Sequence, residues 1–392
     1  MANAKNKTII VIACSTFLLL GIVTAGIGPV LPELAGNAQT SLTAIGGVLS
    51  ALFLGALISN LVAGPLCDRF EQKYILAISL GVLALGFLAF TNALSYWVII
   101  GFTFIAGLGH GAVDLTTNLL VSRTFKDNNV AVLNLLHFFF GAGAFSGPAL
   151  ISLALKLTGS GLIVLWVSAG AMLLLAIFYL RLGGSQKGKP TINRSTGGIN
   201  VYRSSFVWAL GFLLLISVGV ENGMGGWTTT YTQITTMIKI EEGALLTAGF
   251  WGLLTIGRLV AAAVGKRINS QDLLRICLVL SAIGGGLFVL GHGNLAVTTI
   301  SILLIGFSFG AVYPTVISIV TTTHKDNPGK AASVCSAMGS IGGILIPWGQ
   351  GFMMEKVSPL ASTFYIAILN LLMLATFVVA FRLFRRTAKQ GA

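Results

Sequence analysis

Residues 107–128 read GLGHGAVDLTTNLLVSRTFKDN, and residues 306–327 read GFSFGAVYPTVISIVTTTHKDN. Ten positions are identical at a constant offset of 199, from Gly107/Gly306 and Gly111/Gly310 to Lys126-Asp127-Asn128 and Lys325-Asp326-Asn327. The same offset carries Gly143 to Gly342 and Pro148 to Pro347. Each copy is a long apolar run that ends in a short polar loop. A repeat spaced by half the chain and written in membrane-length helices predicts two similar halves around a central site, the plan of a transporter. One position breaks the match in kind: Asp114 in the first copy is Tyr313 in the second. The halves share a scaffold and differ in chemistry.

Composition points the same way. The chain is 55% hydrophobic and only 9% charged, whereas soluble domains carry roughly 25% charged residues. Runs of about 20 apolar residues predict twelve spanning helices, near 8–32, 42–64, 74–91, 96–122, 130–156, 161–182, 204–236, 243–264, 272–291, 295–322, 331–354 and 359–383. The expected fold is an all-α membrane protein of two pseudo-symmetric six-helix bundles. Most connections are short enough to make successive helices antiparallel.

The formal net charge of +13 invites a nucleic-acid reading, but its distribution argues against one. With a cytoplasmic N-terminus, the outer segments hold only Lys156, Lys239 and Lys356, and Arg258 lies within a helix. The remaining 20 of the 24 Lys and Arg fall in inner segments. That is the positive-inside pattern. It predicts both termini in the cytoplasm and residence in the plasma (inner) membrane. Lys5 and Lys7 before Ile12-Ala13-Cys14 imitate a lipoprotein signal, yet the apolar stretch before Cys14 is short and the run continues past it. The four cysteines show no metal or disulfide spacing and are expected as apolar fillers.

One long polar interruption, GGSQKGKPTINRSTGGINVYR at 183–203, has the composition of a linker. It separates an expected N-terminal bundle, 1–182, from a C-terminal bundle, 204–392. Glycines at helical spacing, such as Gly107/Gly111 and Gly143/Gly147, predict close helix approach. Gly28-Pro29, Gly147-Pro148 and Ile346-Pro347 predict kinks.

The segment Gly64-Pro65-Leu66-Cys67-Asp68-Arg69-Phe70-Glu71-Gln72-Lys73 resembles the signature between helices two and three of the major facilitator superfamily. Gly64, Asp68, Arg69 and Lys73 match. Glu71 and Gln72 depart from the usual glycine and basic residue, which questions the usual turn. The resemblance covers the whole chain: twelve spans, a central linker and two halves. It implies secondary transport by alternating access, and gating or charge roles for Asp68, Arg69 and Lys73. Further motifs resemble one branch, the fucose/glucose symporters with their sodium-dependent glucose transporter-like members. They are Asp114 and Asn118 in GAVDLTTN, Leu136-His137 through Gly141 followed by Gly147-Pro148, Glu221-Asn222 through Trp227 followed by Tyr231, and Phe250-Trp251-Gly252 with Gly257-Arg258.

Ionisable groups inside a bilayer are costly and mark function. Asp114 is the expected cation-coupling acid. It would exchange a proton or hold Na⁺ through oxygen ligands. Glu221 is a second coupling candidate, in a helix whose glycines are expected to loosen it and bare carbonyls. Trp227 and Tyr231, four apart on one face, suit the apolar face of a sugar, and Asn118 and Asn222 suit its hydroxyls. The alternative for the two rings is an interfacial belt. His137, Tyr313, Trp348 and Gln350 complete the substrate-binding candidates, with His137 leaning to a packed structural role. Arg258 is expected to neutralise an acid or carbonyl. Counted from the inner helix ends, Glu221 lies roughly 15 Å beyond it, which argues against an Arg258–Glu221 pair; Asp114 is one candidate partner, and capping of helix carbonyls or snorkelling to the interface is the alternative.

These residues predict a cation-coupled (H⁺ or Na⁺) symporter of a small sugar. It needs no cofactor or resident metal, binds lipid and no nucleic acid, and works as a monomer. The alternative is a proton-coupled antiporter exporting lipophilic compounds, since GAFSGP at 143–148 partly resembles the antiporter motif on helix five. An enzyme is not expected: His110, His137, His292 and His324 sit on separate segments without HExxH spacing. Without a nucleotide-binding motif, ATP-driven transport is not expected either.

Overall fold

The computed structural model describes residues 2–125, 129–182, 201–265, 267–324 and 328–390, less the side chains at 2–5, 64, 65, 68, 129–131, 134, 328, 329 and 383–390. Fourteen helices carry the fold. They are α1 (Ala2–Asn37), α2 (Leu42–Ile45), α3 (Gly47–Arg69), α4 (Gln72–Thr91), α5 (Tyr96–Thr124), α6 (Asn129–Thr158), α7 (Leu162–Arg181), α8 (Ser205–Thr236), α9 (Ile240–Val264), α10 (Ser270–Leu290), α11 (Leu295–Phe309), α12 (Val312–Thr323), α13 (Pro328–Phe352) and α14 (Pro359–Gln390). Twelve segments are long and apolar enough to cross a membrane, as the hydropathy predicts. Ser204, Asn269 and Asn294 mark three starts, each side chain accepting from a backbone N–H of the first turn.

The described residues form two compact units. The first holds α1 to α7 together with Lys239–Trp251. The second holds α8, the rest of α9 from Gly252, and α10 to α14. The expected linker lies outside the described residues except for a short 3₁₀ turn at Val201–Arg203. The termini of the repeat, Lys126-Asp127-Asn128 and Lys325-Asp326-Asn327, lie outside them too.

The repeated glycines are helix contacts. In the first unit a Cβ on Gly143 would strike the Leu18 carbonyl of α1, and one on Gly111 would strike Ala56 of α3. In the second unit the repeat partners do the same: Gly342 meets the Leu215 carbonyl of α8, and Gly310 meets Leu254 of α9. Lipid tails are as apolar as leucine, so close backbone approach is one of the few things that make helix contact preferable to lipid contact, beside interhelical polar bonds.

Pro29, Pro148 and Pro347, the prolines of the expected kinks, sit inside α1, α6 and α13, and helix continues on both sides of each. A full break, which the sequence reading did not anticipate, falls in the tenth span between α11 and α12 at Gly310-Ala311. Pro314 explains it. It has no N–H to give the Gly310 carbonyl four residues earlier, and its ring crowds that oxygen. The first copy has Leu115 there, and α5 runs unbroken.

Candidate functional site

Two polar groupings among the described residues involve intramembrane acids, one in each unit. In the first, Asp114, half-buried on α5, accepts from Asn118 one turn on: the amide lies 3.3 Å from the carboxylate and 2.9 Å from the Asp114 backbone carbonyl. Among the described residues no lysine or arginine forms an ion pair with Asp114. His110 lies one turn earlier, so His110, Asp114 and Asn118 share a face. Its Nε2 is 3.0 Å from the Thr24 hydroxyl of α1. His110 is not among the residues expected at the site; its i, i+4, i+8 spacing with Asp114 and Asn118 is the sequence signal for it.

His137 is not with them. It is exposed on α6, with the edge of its ring toward Phe17 at 5.4 Å, beside an apolar cluster of Ala13, Cys14, Val121 and Leu136. In the signature loop, α3 ends at Arg69 and α4 starts at Gln72, with Glu71 extended at φ −69°. No residue there has positive φ, so the family's glycine is not needed at Glu71. Lys73 bonds the Leu182 carbonyl (3.1 Å) and lies 3.5 Å from Glu71, while Arg123 of α5 holds the Cys67 carbonyl (3.0 Å). The loop is thereby tied to the ends of α5 and α7. Arg69 is exposed, and the Asp68 side chain lies outside the described residues.

The second cluster overturns an expectation. Arg258 Nη2 lies 3.7 Å from Glu221 Oε1. Depth counted from the inner ends misleads because α8 has 32 residues, about 48 Å, against a hydrocarbon core of about 30 Å. Counted from the turn that joins α8 to α9, Glu221 and Arg258 lie about 22 and 27 Å along their helices, within reach of an arginine. Glu221, expected to bind the coupling cation, already has a cationic partner. A second correction concerns the glycines. The helix α8 is continuous through Gly223, Gly225 and Gly226, which are buried. Gly223 admits the Gln350 side chain of α13, and Gly351 admits the Trp227 ring.

Trp227 and Tyr231 are fully buried. The Trp227 indole donates to the Pro347 carbonyl at 2.7 Å. Tyr231 packs against Phe288 with ring centres 4.6 Å apart, and its hydroxyl is 3.1 Å from His292 Nδ1. Both rings expected to face a sugar are packed in this structure. Asn222 donates to the Val218 carbonyl at 2.8 Å. Tyr313 is 2.9 Å from the Ser336 hydroxyl. Gln350 is buried with its Oε1 unpartnered. Trp348 is 47% exposed, stacked on Phe352 along an apolar stripe with Ile341 and Leu345. Ser308 stands at GxSxG spacing, but it is buried and its hydroxyl donates to the Ile305 carbonyl at 2.7 Å, so no nucleophile is poised there.

Comparison with known proteins bears on the family and the fold. The chain is 23% identical to sodium-dependent glucose transporter 1 of Homo sapiens over 390 residues, covering 90% of this chain and 74% of that protein. It is 21% identical to the glucose/mannose transporter GlcP of Bacillus subtilis, covering 87% of this chain and 86% of that one. In fold it is similar to the nucleoside transporter NupG (TM-score 0.77, 14% identity, 96% of this chain and 99% of that one). It is also similar to a bacterial homologue of the human lysosomal transporter Spinster (TM-score 0.78, 12% identity, 95% and 96%). The model of the Major Facilitator Superfamily matches residues 13–347 and 241–392. The chain is therefore an integral membrane protein of twelve spans that belongs to the Major Facilitator Superfamily of transporters.

Proposed function

We propose that this protein is a cation-coupled symporter of a small sugar, with Asp114 as the coupling acid. The bundles 1–182 and 204–392 rock about the substrate, joined by the linker 183–203. The observation that carries this reading is the contrast between the two intramembrane acids. Glu221 is matched by Arg258, whereas Asp114 has the Asn118 amide and no cationic partner among the described residues. A bare carboxylate is expensive to enclose. A cation, H⁺ or Na⁺, removes that cost, so the loaded and the empty carrier can close while a bare carboxylate resists closure. Two of the relatives are named as glucose transporters, one of them sodium-dependent, which supports the sugar and leaves H⁺ and Na⁺ both open. The protein works as a monomer in the plasma membrane, with both termini cytoplasmic.

Purified protein in proteoliposomes tests this. Wild type should accumulate glucose or mannose when a Na⁺ or H⁺ gradient is imposed. Asp114→Asn should lose accumulation and keep sugar counterflow. Accumulation by Asp114→Asn at the wild-type level would remove the coupling role. Export of lipophilic dyes without sugar counterflow would replace the reading with the antiporter.

A further inference from the structure

We propose that His110 is a substrate-binding residue whose Nδ1 accepts a hydrogen bond from a hydroxyl of the transported sugar. The inference rests on the sugar-symporter reading above and adds a residue to its site. The Thr24 hydroxyl oxygen lies 2.7 Å from the Leu20 carbonyl one turn back on α1. Its single proton is committed to that bond. The same oxygen lies 3.0 Å from His110 Nε2, so it accepts, and Nε2 carries the imidazole proton. That leaves Nδ1 with a lone pair. The atom is buried and has no hydrogen-bond partner among the described residues.

An enclosed acceptor without a donor is unfavourable, and the imbalance ends when a donor reaches it. The neighbourhood indicates which donor. Asp114 and Asn118 follow on the same face of α5, and all three residues, with Thr24, are only half-buried. Asp114 is an acceptor and the Asn118 amide is already turned to it. The stripe is therefore rich in acceptors and poor in free donors, which suits a ligand carrying several hydroxyls. The second copy of the repeat has Phe309, Tyr313 and Ile317 at these three positions, so no equivalent stripe exists there. Thr24 orients the imidazole, and the sugar supplies the proton that Nδ1 lacks.

The test compares wild type with His110→Gln and His110→Asn, purified in detergent and titrated with D-glucose, D-mannose and L-fucose by tryptophan fluorescence. Glutamine keeps a group at the Nε2 position, for Thr24, and loses Nδ1. Asparagine places its amide oxygen near Nδ1. The expected result is about tenfold weaker binding for His110→Gln and at most about threefold for His110→Asn. Unchanged affinity in His110→Gln would overturn the inference and assign Nδ1 to a resident water. Unchanged affinity with loss of gradient-driven uptake would overturn it in favour of proton carriage. Equal loss in both variants with a lowered melting temperature would make the residue structural. If no sugar binds the wild type, the sugar reading falls and takes this inference with it.

Discussion

Arg258 lies 3.7 Å from Glu221, joining α9 to α8 through an ion pair in the interior of two spanning helices. Glu221 is nearly enclosed and Arg258 is about a third exposed, so the pair is partly screened. Removing one partner strands the other, whereas removing both leaves two neutral groups. Glu221→Gln and Arg258→Gln should each lower the melting temperature, and the double variant should recover most of the loss. A coupling energy of about 0.5–3 kcal/mol is the expected range for groups in contact. Additive losses across the cycle would show that the two residues act apart.

The close glycines make a sharper stability prediction. Gly342→Ala drives a methyl into the Leu215 carbonyl, a backbone atom that cannot rotate away. The expected cost is about 1–3 kcal/mol. Gly170 on α7 has open space where a Cβ would stand. Gly170→Ala should be neutral or slightly stabilising, because glycine in a helix costs about 0.5–1 kcal/mol relative to alanine. Thermal unfolding in detergent compares the two, and equal effects would refute the contact role.

Trp227 separates packing from binding. Trp227→Phe removes the bond to the Pro347 carbonyl and part of a fully buried ring. It should lower stability by about 2–4 kcal/mol while sugar affinity stays within about twofold, since the ring has no free face. A tenfold loss of affinity at unchanged stability would restore Trp227 to the substrate site.

Pro314→Leu should mend the break between α11 and α12. The new N–H can donate to the Gly310 carbonyl and continue the helix. Hydrogen exchange at 310–316 should slow, and transport should slow with it if the break bends during the cycle. Exchange unchanged by the substitution would mean that something other than proline holds the break open.

Much of this was legible in the chain. The repeat at offset 199 announced two halves, and its glycines announced the helix contacts, because a membrane helix leaves few ways to bring backbones together. Asp114 stood out against Tyr313 for the same reason. The break at Gly310 is also written in the sequence, since Pro314 follows four residues later. Gly64, Asp68, Arg69 and Lys73 mark the signature loop in the sequence, whereas its ties to Leu182 and Cys67 come from side chains placed by the fold.

What the sequence by itself determined is the number of spans and the acid without a repeat mate, since these depend on composition and spacing along one dimension. Tertiary structure alone decided that Arg258 meets Glu221, that Trp227 and Tyr231 are walled in, and that His110 rests on Thr24. Those outcomes depend on how far each helix overruns the bilayer and how it is rotated about its axis. Neither quantity is carried by any single helix, because each is set by the neighbours it packs against.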